Sequence, residues 1–71
     1  MGKYRELMQA VGMEKIGQFH KGREFVLREV IPNPQALWGR LFYRDVISGK
    51  VIGVIPLDMK DEENASMYKK L

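Results

Sequence analysis

A chain of 71 residues with net charge +3 and no cysteine has room for one domain and one small core, because at this length only about 60% of the unfolded surface is buried on folding. The lack of cysteine excludes disulfides and thiolate metal sites and fits a reducing compartment. No apolar run is long enough to cross a bilayer and Met1 to Ala10 is charged rather than signal-like, so the expectation is a cytoplasmic protein with no membrane partner.

Residues 1–3 are expected to be disordered. Tyr4, Leu7, Met8 and Val11 follow helical i, i+3, i+4, i+7 spacing, which predicts a first helix from about Lys3 to Val11, interrupted or ended by Gly12. Pattern leaves Met13 to Phe19 open between a helical turn and a loop, with Ile16 and Phe19 inward. His20-Lys21-Gly22 reads as a turn. Arg23 to Leu27 is a short β-prone run, after which Leu27, Val30 and Ile31 predict a short helix stopped by Pro32.

The stretch Asn33 to Gly49 carries end signals for a longer helix, 34–48. Asn33 suits the N-cap, Pro34 the first helical position, and Gly49 the left-handed residue that closes the last turn. Leu37, Trp38, Leu41, Phe42 and Val46 share its apolar face. Rotation of about 100° per residue puts Ala36, Gly39, Arg40 and Tyr43 on the outer side, with Arg44 at the margin and Gln35 near the N-terminal end. Asp45 falls inside the apolar sector, where a lone carboxylate is costly, so pairing with Arg28, Arg23 or a backbone N–H is expected.

After Gly49 the run Val51 to Leu57 is β-prone, and Pro56 points to an edge or a bulge. Ala65 to Leu71 suits a returning antiparallel strand. Between them Asp58, Asp61, Glu62 and Glu63 surround Lys60 alone, which puts an acidic tip on an otherwise basic body; such a body suits a polyanion, or simply solubility. The expected core is Tyr4, Leu7, Val11, Phe25, Leu27, Val30, Leu37, Trp38, Leu41, Phe42, Val46, Ile52 and Val54. Tyr4, Leu7 and Met8 could equally offer a homodimer contact.

Signals for catalysis are missing. His20 stands in a turn without further ligands at metal-site spacing. Ser48 and Ser66 lack an identifiable base, and the glycines have no phosphate-loop context. The expectation is a protein that is not an enzyme and carries no cofactor or metal.

The order of elements, α-β-α-α-β-β, resembles the winged helix-turn-helix family of DNA-binding domains. The resemblance is carried by F-V-L-R-E-V-I for the first strand and positioning helix, N-P-Q-A-L-W-G-R-L-F-Y-R-D-V-I-S-G-K for the recognition helix, and V-I-G-V-I-P-L through A-S-M-Y-K-K-L for the wing. More narrowly, G-R-E-F-V-L-R-E-V, W-G-R-L-F-Y-R-D-V and Y-K-K-L are similar to a poorly characterised family of small Gram-positive bacterial proteins often linked to mobile elements.

The winged-helix resemblance implies an α+β fold of three helices with a small three-stranded antiparallel sheet, and a longer helix that enters the major groove of double-stranded DNA. It implies base contacts from Gln35, Ala36, Gly39, Arg40 and Tyr43, with Arg40 suited to guanine and Gln35 to adenine. Arg28, Arg44, Lys50, Lys60, Lys69 and Lys70 become phosphate contacts. An acidic wing tip fits phosphates poorly and could face a protein partner instead, as in a winged-helix adaptor that does not bind DNA.

Overall fold

The computed structural model of the protein describes residues 2–71. Gly2 is the N-cap of the first helix and Lys3 its first residue, while Met1, in the stretch expected to be disordered, lies outside the described residues. This first helix, α1, runs through three continuous segments: Lys3–Leu7 is α-helical, Met8–Gly12 is a π-helix and Met13–Gln18 is α-helical again.

The π segment follows from how the apolar residues are spaced. The buried positions are Tyr4, Met8, Gly12 and Ile16, a strict repeat of four. In a regular α-helix four residues overshoot one turn by about 40°, so this stripe would wander off the core. A wider π turn takes up the overshoot. Gly12 therefore does not end the helix as its composition suggested; a Cβ there would lie 2.6 Å from Met8 Sδ and 3.3 Å from Val30 Cγ1, so glycine lets the rod pack closely. Val11 turns outward as a result, and Tyr4 and Met8 lie in the core.

Strand β1, Glu24–Val26, leads into a single 3-10 turn, Leu27–Glu29. A helix was expected here, so the fold has two helices and not three. Pro32 forbids a continuation two residues after the turn closes. The turn is fastened by the Glu29 carboxylate, which accepts the Val26 N–H at 3.1 Å and also meets the Arg23 guanidinium.

Helix α2 spans Ala36–Ile47, and its N-cap is Gln35, whose side chain makes no capping bond. Asn33 is not the cap because it takes a left-handed conformation, φ 48°, to turn the chain between Pro32 and Pro34. The other end matches its sequence signal: Gly49 is left-handed, and the Asp45 carbonyl accepts the N–H groups of Lys50 and Val51.

Strands β2, Val54–Lys60, and β3, Ser66–Lys70, form the hairpin. The sheet is antiparallel in the order β1-β3-β2, with Phe25 opposite Tyr68 and Pro56 opposite Tyr68 on the other side. Beyond Pro56 the register shifts before Lys60 meets Ser66, and Asp58 adopts φ 58° inside the shift. The protein is thus α+β, with a small three-stranded sheet closing over two helices.

Phe25, Val30, Ile31, Phe42 and Tyr68 are the largest fully buried side chains. The Phe42 and Tyr68 rings meet edge to face at 4.8 Å, and Phe19 covers Phe25 at 4.9 Å. Leu37 and Ile52, expected in the core, are 61% and 84% exposed. The buried arc of α2 centres on Trp38, Phe42, Asp45 and Val46, which rotates Leu37 past its edge. Ile52 belongs to the turn before β2, where Val51 takes the inward place.

Candidate nucleic-acid interface

The N-terminal half of α2 and the inner side of the β2–β3 hairpin enclose an open cleft of about 930 Å³. Gln35, Ala36, Gly39, Arg40 and Tyr43, the five sequence-derived base-contact candidates, all line it. They come together because helical spacing puts them on the side of α2 turned from Trp38 and Val46. Opposite them stand Pro56, Met59 and Met67, with Tyr68 among the deeper residues. The wall is mostly apolar, with polar groups at a few points.

The phosphate-contact candidates fall into three groups. Arg28 and Lys60 line the same cleft, yet Arg28 is already engaged by Asp61 and, at 3.6 Å, by Glu63. The hydrogen bond to Asp61 holds the guanidinium pKa above its ordinary value. Asp61 is kept below the usual carboxylate range by the Ala65 N–H first and then by Arg28. The acidic tip is thus partly neutralised from within the chain.

Arg44 and Lys50 line a second, smaller depression of about 300 Å³ with Arg5, Leu41, Asp45 and Ser48. Lys69 stands in the central strand between Glu24 and Ile55. Lys70 is occupied: its amino group donates to the Ile16 carbonyl at 2.8 Å and the Phe19 carbonyl at 3.4 Å, satisfying the carbonyl end of α1. Its role is a cap. Among the described residues, Arg40, Arg44 and Lys50 have no carboxylate in salt-bridge range.

Asp45 is buried, as its helical position suggested, with other partners than those expected. Its Oδ2 accepts the Tyr4 hydroxyl at 2.9 Å, with Arg5 at 3.4 Å. Burial, followed by the bond to Asp45, pushes the Tyr4 phenol well above its ordinary pKa. Arg23 and Arg28 cannot serve because Glu29 and the hairpin tip hold them.

Sequence reasoning also missed Tyr68. It is 1% exposed, yet its hydroxyl makes no hydrogen bond within the described residues, and burial with the nearby Tyr43 raises its pKa to about 12. Among the described residues no fully buried side-chain oxygen lacks a partner, and Tyr68 is one of the residues that line the cleft. The only clue in the chain was tyrosine where phenylalanine would fill the core equally well.

Among the described residues no group of three or more His, Asp or Glu side chains is placed to hold a metal ion, and no helix is long and apolar enough to cross a membrane. Comparison with protein-family models, curated proteins and solved structures finds no match.

Proposed function

We propose that the protein is a small winged-helix domain that binds double-stranded DNA, with α2 as its recognition helix and the β2–β3 hairpin as its wing. The observation that carries this reading is the pair Arg40 and Arg44, one turn apart on the exposed side of α2 with no carboxylate in reach. Cations left unpaired on a helix are available to phosphates and guanine edges. Gln35, Gly39 and Tyr43 flank Arg40 on the same wall of the cleft.

Two features modify the usual docking. The positioning helix is reduced to the Leu27–Glu29 turn, so α1 or the loop before α2 has to supply the backbone contacts. The acidic tip meets Arg28 before it meets DNA. A role as a transcriptional regulator or a mobile-element accessory factor in a bacterial cytoplasm fits this reading.

A second reading, a winged-helix adaptor that docks a protein, is favoured by the apolar cleft wall and by Asp58 and Glu63 at its margin. Fluorescence anisotropy with mixed-sequence duplex at low and moderate salt separates the two. Micromolar binding that weakens steeply with salt and drops in Arg40→Ala supports DNA binding. No binding at low salt rejects it in favour of the adaptor.

A further inference from the structure

The tip of the β2–β3 hairpin is built around one carboxylate. Asp61 Oδ1 accepts the Glu63 N–H at 3.0 Å and the Ala65 N–H at 2.9 Å. The Asp61 N–H in turn donates to the Ala65 carbonyl, and the Asn64 N–H to the Asp61 carbonyl, both at 3.0 Å. These bonds fix the side chain and leave its second oxygen, Oδ2, for a partner outside the hairpin. That partner is Arg28, 33 positions away in the Leu27–Glu29 turn. Glu63 approaches the same guanidinium at 3.6 Å.

The hairpin tip therefore does to Arg28 what a phosphate would do. A guanidinium binds carboxylate and phosphate alike, through charge-assisted hydrogen bonds. The Asp61 side chain is only 15% exposed and the Arg28 side chain 43%, so the carboxylate is covered while the cation stays within reach of solvent. Glu29 does not compete for Arg28, because Arg23 holds it. Arg40 lines the same cleft as Arg28 and meets no carboxylate in salt-bridge range. Two arginines on one cleft thus differ in kind: one is open and one is covered.

We propose that the acidic tip is an intramolecular mask on the DNA-binding face, with Asp61 and Glu63 occupying Arg28 in the free protein until a duplex seated on α2 displaces them. The inference rests on the DNA reading and concerns the regulation of that face. As part of the same chain, the tip competes at high effective concentration. A lone phosphate loses to it, and a duplex also held by Arg40 and Arg44 can win, because a solvent-exposed ion pair is weak enough to exchange.

Asp61→Asn tests the mask. The amide oxygen keeps both backbone bonds of Oδ1, while the amide nitrogen offers Arg28 a donor where it needs an acceptor. Duplex anisotropy over a salt series should show binding about fivefold tighter at low salt, the upper value of an exposed ion pair, and a slope of log K against log salt steeper by about 1. Glu63→Gln, at a side chain 73% exposed, leaves the fold undisturbed and should give a smaller gain. Glu62→Gln removes the same charge from the same tip at a residue that does not pair with Arg28, and should leave binding near wild type. An equal gain in Glu62→Gln is a general effect of lost negative charge and overturns the mask. So does unchanged or weaker binding in both Asp61→Asn and Glu63→Gln; either result leaves the DNA reading intact. Absence of duplex binding in the wild type and every variant at low salt removes the DNA reading and the mask with it, whereas binding by Asp61→Asn alone supports both.

Discussion

The Tyr4 hydroxyl donates to the Asp45 carboxylate at 2.9 Å across 41 positions of the chain. It joins the first turn of α1 to the inner face of α2 where Asp45 would otherwise be a buried charge held by Arg5 alone. Tyr4→Phe should cost about 2 kcal/mol, the value of a hydrogen bond to a charged acceptor, and lower the melting temperature by about 10 °C for a domain this small. Asp45→Ala should cost as much, since it strands the Tyr4 hydroxyl. Urea denaturation gives the answer, and an unchanged midpoint in Tyr4→Phe would mean that Arg5 is sufficient.

The same tyrosines set an alkaline limit. The Tyr4 and Tyr68 phenols both titrate above the ordinary value of 10.0, Tyr68 at about 12. A raised folded-state pKa means that the folded protein holds the proton more tightly than the unfolded chain, so stability is complete below pH 10 and drains away as the pH rises beyond it, the Tyr68 share by about pH 12 and the Tyr4 share later. The denaturant midpoint should be flat from pH 8 to 9.5 and fall beyond it. Tyr68→Phe should make the fall shallower.

Gln35→Asp should raise stability by about 1 kcal/mol, because an aspartate at the N-cap accepts from the free amides and faces the positive end of the dipole. Thermal melting measures it.

Lysines and arginines of equal charge should separate by role. Lys70→Met removes the cap on the Ile16 and Phe19 carbonyls and should cost about 1 kcal/mol without altering the salt dependence of duplex binding. Arg44→Ala should do the reverse, lowering the slope of log K against log salt by about 1 at unchanged stability. Paired urea and salt titrations distinguish them.

What could be read from the chain was what is decided locally. Gly49 closes α2 because a left-handed residue needs no distant partner, and the β-prone runs around the acidic tip make a hairpin through nearest-neighbour pairing. The outer face of α2 followed from rotation about its axis, so Gln35, Arg40 and Tyr43 were found together. The rest depended on contacts between distant segments. Gly12 looks like a break from composition, but the space beside it is filled by Met8 one turn back and by Val30 from a separate segment. The Leu27 to Ile31 spacing is helical, yet Pro32 leaves room for one turn. Asn33 has the chemistry of a cap and is used for its tolerance of positive φ. The partner of Asp45 lies at the far end of the sequence, and the place of Tyr68 on the cleft can be seen only once the cleft exists.

The sheet order β1-β3-β2 makes the third strand in chain order the one that both earlier strands need. Until residues 66–70 leave the ribosome, β1 and β2 have no neighbour to pair with, Phe25 and Phe42 lack the ring of Tyr68 between them, and the carbonyl end of α1 waits for Lys70. The two helices still meet through Tyr4, Trp38 and Asp45, but the face that the sheet covers is left open. A chain cut short of β3 should therefore leave both outer strands unpaired and be far more sensitive to protease than the whole domain.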